Sequence, residues 1–151
     1  MYRKILLAVD GSACADLATQ EAIAVAKACG ADVEALHVAD NVDSYFDTGS
    51  DEAARLSKAI VAYGKQTLEE AARRLADAGV PHQVRLIERA VLPASIADTI
   101  VSEADSCGAD LVVLGTHGRR GVRRLVTGSV AEGVLRQARK PVLLVRSEAE
   151  E

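Results

Sequence analysis

The chain has 151 residues, 49% of them hydrophobic, enough for one domain with a substantial core and too few for two. Its net charge of -4 is uneven: His117 to Lys140 carries seven basic residues (Arg119, Arg120, Arg123, Arg124, Arg136, Arg139, Lys140) against one acid, Glu132, a local +6 that leaves -10 elsewhere. Such a basic island on an acidic body suits a small anion or an acidic partner patch and disfavours a long polyanion; with only four aromatics (Tyr2, Tyr45, Phe46, Tyr63), stacking platforms for single-stranded nucleic acid are excluded.

Three cysteines, Cys14, Cys29 and Cys107, are odd in number, far apart and without a C-x-x-C, which argues against a metal cluster or a disulfide framework and for small core residues. The N-terminus runs straight into a strand pattern without a charged-then-apolar leader, and no apolar run approaches the roughly 18 residues of a membrane span. The expectation is a cytoplasmic protein.

In chain order, Ile5 to Val9 is a continuous apolar run of the kind shown by a parallel strand covered on both faces. It stops at the turn Asp10-Gly11-Ser12. Apolar residues then recur at Cys14, Leu17, Ala18, Ala22, Val25, Ala26 and Cys29, predicting a helix over 13–29 with Ser12 as N-cap and Gly30 as its stop. A second strand follows over 33–39. Asn41 to Ser50 is polar and reads as a loop or lid. Asp51 to Ala78 reads as a long helix with a stripe at Leu56, Ile60, Tyr63, Leu68, Ala71, Leu75 and Ala78, and with Glu69/Arg73 and Glu70/Arg74 as pairs on its wet side.

After Gly79-Val80-Pro81, His82 to Ile87 alternates like a strand nearer a sheet edge. Pro93 or the residues just after it open a third helix with a stripe at Ile96, Ile100, Val101, Ala104 and Cys107, ending at Gly108. A buried strand over 111–114 leads into G-T-H-G-R-R-G-V-R-R-L-V-T-G-S (Gly115 to Ser129), then a helix over 130–138 and a last strand, Val142 to Val145. Strict β-α alternation predicts a doubly wound, five-stranded parallel sheet with helices on both faces, Rossmann-like, in a single domain over 1–151. The strand order expected, 3-2-1-4-5, comes from the fold class rather than from the residues. Ligands bind such sheets outside the carboxyl ends of the strands, where the order reverses. The first strand, ending in Asp10-Gly11-Ser12, and the fourth, ending in Gly115-Thr116, carry small polar residues there.

Glycines at a strand-to-helix crossover, followed by a helix N-terminus with unpaired N–H groups, suit a phosphate. Neither common device fits: no Gly-Lys-Ser or Gly-Lys-Thr exists for a Walker loop, and no G-x-G-x-x-G follows the first strand. What is present is Gly115-x2-Gly118-x9-Gly128-Ser129. With it stand K-I-L-L-A-V-D-G-S (Lys4 to Ser12), L-H-V (Leu36 to Val38), D-L-V-V-L-G-T-H-G-R (Asp110 to Arg119), G-S-V-A-E (Gly128 to Glu132) and P-V-L-L-V-R (Pro141 to Arg146). Here the chain resembles the ATP-binding branch of the universal stress protein family, whose signature is G-x2-G-x9-G-[ST]. It departs where many relatives have a glycine before the third helix; this chain runs Ala90-Val91-Leu92-Pro93-Ala94.

The resemblance implies that Val38 offers its backbone to the adenine edge and that Asp10 accepts from a ribose hydroxyl. It places Gly115 beside the sugar, where a side chain would block the approach. Gly118, Gly128, Ser129 and Val130 would hold phosphates through backbone N–H groups and the serine hydroxyl, and Arg119 and Arg120 would be charged contacts to the outer phosphates or else solvated. Gly11, Ser12, Leu114 and His117 complete the candidate set. Asp10 could instead be merely a turn former, His37 and His117 are read as structural histidines without a second metal ligand, and Arg123 and Arg124 as solvated or partner-facing. Ser129 lacks a neighbouring base and is not read as a nucleophile.

The function expected is ATP binding, with Mg2+ on the phosphates and little or no turnover, by a stress-response switch or dimeric adaptor. The resemblance implies a homodimer through Val142 to Val145. The alternatives are a slow ATPase or phosphotransfer enzyme, and a nucleotide-free module that meets a regulatory protein through its arginines.

Overall fold

The structure, a computed structural model, describes residues 1–41, 51–90, 95–117 and 127–147. Nine elements alternate along them: β1 (Lys4–Ala8), α1 (Ala13–Cys29), β2 (Asp32–Asn41), α2 (Asp51–Asp77), β3 (His82–Ala90), α3 (Ser95–Cys107), β4 (Leu111–Gly115), α4 (Ser129–Gln137) and β5 (Val142–Val145). The expected loop after β2, the Val91 to Ala94 approach to α3, and Gly118 to Val126 with Gly118, Arg119, Arg120, Arg123 and Arg124 lie outside the described residues.

All five strands are parallel, in the order β3-β2-β1-β4-β5, as the fold class predicts. The continuous apolar run of β1 follows from its central place, because alternate side chains enter two separate cores. Ile5 and Leu7, with Val33, Ala35, Leu111 and Val113, meet Ala15, Ala18, Ala22 and Ala26 of α1 and Leu68, Ala71 and Leu75 of α2. Leu6, with Leu36, Val112 and Leu114, meets Ala97, Ile100 and Ala104 of α3 and Ala131 and Val134 of α4. The alanines of α1 let that helix lie close on the sheet. At the sheet's amino end, Asp110 accepts the N–H groups of Arg3 at 2.9 Å and Lys4 at 3.1 Å, fastening the start of β1 to the entry of β4.

α1 begins and ends as predicted. Ser12 Oγ accepts the Ala15 N–H at 3.1 Å, and Gly30 adopts the left-handed conformation (φ 70°) that closes the helix. α2 departs from its predicted stripe: Leu56 is 48% exposed, and Gly64 turns inward instead. A Cβ on Gly64 would stand 2.7 Å from His37 Cδ2 and 2.8 Å from Leu86 Cδ1, so the bare backbone lets the helix settle on β2 and β3. The polar pairs differ as well. Arg73 pairs with Glu70 and Asp77, whereas Arg74 reaches across to Asp16 of α1 at 3.5 Å. β2 and β3 both outrun their predicted ends, staying in register to Asn41↔Ala90, and β3 forms one sheet edge with Val84 47% exposed. β5 forms the other edge.

The three cysteines are free, Cys14 buried and Cys29 and Cys107 half-buried at the margins of the two cores. None of the helices described is long and apolar enough to cross a membrane.

Candidate functional site

Strand order reverses between β1 and β4, and at their carboxyl ends the chain leaves the sheet in opposite directions, which opens a crevice. Asp10, Gly11 and Ser12 edge it from β1, Gly115, Thr116 and His117 from β4, and Gly128 to Val130 begin α4 nearby. Leu114 is buried beneath the crevice floor in the α3–α4 core.

Backbone geometry brings Val38 to the same place. In a parallel ladder the N–H and C=O of one residue point to the same side, and successive residues alternate. Asp32 N–H donates to Arg3 O and Val9 N–H to Leu36 O, whereas Val33 N–H goes to Pro81 O beside β3. Even-numbered residues of β2 therefore face β1. The β1–β2 register ends at Ala8↔Leu36, and after Val9 the chain turns away. Val38, next on that side, directs its N–H and C=O into the space β1 has vacated.

The turn after β1 is held from three sides. Asp10 Oδ1 accepts the Ser12 N–H at 2.9 Å, which bears out its turn-forming role and leaves its second oxygen outside that bond. Tyr63 Oη donates to the Asp10 carbonyl at 2.8 Å, and His37 Nδ1 meets the Val9 carbonyl at 2.8 Å. The rings of His37 and Tyr63 touch edge to face, with centroids 6.0 Å apart. Gly11 sits at φ 84° with Tyr63 Oη where a Cβ would be, so only glycine fits on both conformational and spatial grounds. His37 is thus a buried brace. Tyr63, read from sequence only as part of a stripe, is the residue that sequence reasoning missed. A glycine in a turn facing the lone tyrosine of a packed helix was its only signal.

At two of the expected site glycines the protein's own contacts add a structural reason for the residue. At Gly115 a Cβ would lie 2.8 Å from Cys14 Sγ and 3.0 Å from the Cys14 carbonyl carbon, so the missing side chain lets the first turn of α1 approach β4. Helix packing is thus one reason for a glycine here. At Gly128 the N–H is given to Thr116 O at 2.7 Å. A Cβ on Gly128 would come within 2.9 Å of that same oxygen. The first helical bond of α4 runs from Glu132 N–H to Gly128 O at 2.9 Å, so the N–H groups of Ser129, Val130 and Ala131 have no acceptor within the helix. Ser129 is exposed.

Thr116 ties the rim together. Its N–H reaches Val145 O at 3.0 Å, its Oγ1 meets His117 Nδ1 at 3.1 Å, and Cys14 Sγ donates to the same Val145 carbonyl at 3.0 Å. The crevice rim, the first turn of α1 and the end of β5 form one bonded unit. The arrangement offers a donor–acceptor pair at Val38, a carboxylate at Asp10 and a positive helix end at α4.

A profile of the universal stress protein family matches residues 1–146. A universal stress protein of Methanocaldococcus jannaschii is 33% identical over 152 residues, covering 100% of this chain and 86% of its own length. Among solved structures, a universal stress protein family member from Burkholderia pseudomallei superposes with a TM-score of 0.76 at 32% identity, covering 97% of both chains. The universal stress protein of Archaeoglobus fulgidus in complex with dAMP superposes with a TM-score of 0.69 at 28% identity, covering 95% of this chain and 98% of its own.

Proposed function

The chain belongs to the universal stress protein family, and from that premise we propose that it binds ATP at the carboxyl ends of β1 and β4 and acts as a nucleotide-responsive regulatory switch. The observation that carries this reading is the pair of Val38 backbone groups directed into the space beyond the end of β1. Adenine presents a donor and an acceptor along one edge, and a strand residue offering N–H and C=O side by side matches both. A dAMP-bound relative of the same fold supports the adenine assignment.

The remaining roles follow along the crevice. The Asp10 carboxylate accepts from a ribose hydroxyl while its Oδ1 keeps the turn closed. The N–H groups of Ser129 and Val130, which have no acceptor within α4, and the Ser129 hydroxyl hold phosphate at the positive end of the helix. Mg2+ enters on the phosphates rather than on a protein ligand. Gly118 and Arg119 extend the phosphate site in this reading, as the motif implies. Turnover is not part of the proposal, because His37 is spent on the Val9 carbonyl and His117 shares the Thr116 hydroxyl.

The domain works as a cytoplasmic homodimer in which the β5 edge pairs with a second copy, covering a strand that has a neighbour on one side only. A nucleotide that favours one assembly shifts its population. Calorimetry with Mg-ATP, AMP and GTP at micromolar protein tests the reading. Heat and thermal protection with adenine nucleotides, and weaker effects with GTP, are expected. Absence of both with every adenine nucleotide overturns it. Product released in single turnover well above the buffer rate would replace the switch with a slow ATPase.

A further inference from the structure

At the opposite, amino end of the sheet, β1, β2, β3 and the end of α3 enclose a second group of reactive side chains. Glu34 of β2 is 3% exposed and Glu103 of α3 is 8% exposed, and each turns one oxygen to fixed donors. Glu34 Oε1 accepts from Gln83 Nε2 at 2.8 Å, with Lys4 Nζ at 3.9 Å. Glu103 Oε2 pairs with Arg85 Nε at 3.2 Å. Among the described residues, the buried Glu34 Oε2 has no N–H or hydroxyl donor, and the Glu103 carboxyl is its polar neighbour. Cys107 lies one helical turn after Glu103 on the same face of α3, and ligand atoms of Glu34, Glu103 and Cys107 fall within 4.8 Å of one another. They border a cavity of about 290 Å³ that also reaches Ser106.

A buried carboxylate oxygen without a donor is costly, and here it faces a second carboxyl group, so a proton or a metal cation between them relieves the cost. A proton on Glu103 is one solution, and burial beside Glu34 holds that carboxyl up at about 7. The thiol marks the other. We propose that Glu34, Glu103 and Cys107 form a binding site for a divalent cation of the zinc class, with water from the cavity as the fourth ligand.

An i,i+4 pair on one helix plus a ligand from a strand is a common way to converge three donors. Gln83, Lys4 and Arg85 occupy the outer carboxylate oxygens, as outer partners do around metal sites. The thiolate with only two carboxylates selects zinc over magnesium or calcium, which require more oxygen ligands. Charge also balances. The ion brings +2 and displaces two protons, one shared by the carboxyls and one from the thiol, so the site keeps the same net charge beside Lys4 and Arg85. Nothing in this site depends on the nucleotide.

Chelator-treated full-length protein titrated with Co2+, then with Zn2+ in competition, tests the assignment. One Co2+ per chain with a thiolate-to-cobalt absorption band is expected, and Zn2+ should erase the band. Cys107→Ser should abolish it, and Glu34→Gln should weaken binding roughly 10-fold or more. Cys29→Ser should leave both unchanged. In the unmutated protein, Zn2+ should protect Cys107 but not Cys29 from alkylation, a readout that needs no variant to fold. Absence of a band and of Cys107 protection would mean that a proton alone fills the gap, and the proposal would be overturned.

Discussion

The two ends of one parallel sheet are built from different materials. At the carboxyl end the groups are mostly main-chain: the edge of Val38, the first N–H groups of α4, and turns that pack closely because Gly11 and Gly128 carry no side chain. At the amino end they are charged side chains driven inward, Glu34 and Glu103 against Lys4 and Arg85. Strands that diverge leave backbone groups unspent, whereas strands that begin side by side under a helix terminus press side chains together. The first kind of site depends on shape and the second on protonation, and they should fail in different ways.

The largest effect is expected at Gly11. Gly11→Val puts a β-branched residue at φ 84° and into Tyr63, combining backbone strain with overpacking for a loss of about 3 kcal/mol, read as a lower urea midpoint. Nucleotide binding should vanish with it, while Co2+ binding in the surviving folded fraction should persist. Gly115→Val should cost about 1–3 kcal/mol by pushing on Cys14, and adding Cys14→Ala should recover part of it. A double variant that regains stability yet still rejects ATP would support the sugar-approach role for this glycine.

The amino end is probed by pH. Burial and the neighbouring Glu34 raise Glu103 from 4.5 to about 7, so the folded state holds that proton more tightly than the unfolded chain does. The associated stabilisation is complete below about 4.5 and is lost as pH rises through about 7. Chelator-treated protein should lose stability across that window relative to Glu103→Gln, and parallel urea midpoints for the two would show that Glu103 titrates normally. The smallest effect is expected from Ser129→Ala, which should weaken ATP binding by roughly 1 kcal/mol through loss of one hydroxyl contact, without changing stability. Calorimetry and a melting curve on the same sample separate the two.

Much of the fold was legible because its signals are local. The apolar run of β1, the cap pair Ser12 and Gly30, and the alternation of element types each follow from neighbouring residues. The motif resemblance pointed to the crevice, but two contacts within it had no signal in the sequence. Whether the space beside Gly115 belongs to a ligand or to Cys14 depends on a contact between β4 and α1, about which neither segment carries a signal. That the Gly128 N–H is given to Thr116 depends likewise on a contact between the start of α4 and the end of β4, which neither segment signals. The inward Gly64 and the Tyr63 clasp were hidden because a helical stripe ranks residues by apolarity, and α2 instead buries what fits against His37. The acidic cluster escaped for a similar reason. Its members come from β2 and α3, and cysteine spacing is silent about a partner on a strand.

The reversal of strand order also fixes when the crevice can exist during folding. β1, β2 and β3 pair as successive neighbours, whereas Leu6 meets Val112 from far along the chain. Closing that long loop carries the larger entropic cost, so the β1–β4 pairing is predicted to be the late step. A ligand that spans the two strands has nothing to grip before that pairing forms. ATP should therefore lower the unfolding limb of a chevron plot and leave the refolding limb nearly unmoved. In physiological terms, the nucleotide would lengthen the lifetime of folded molecules without hastening their formation.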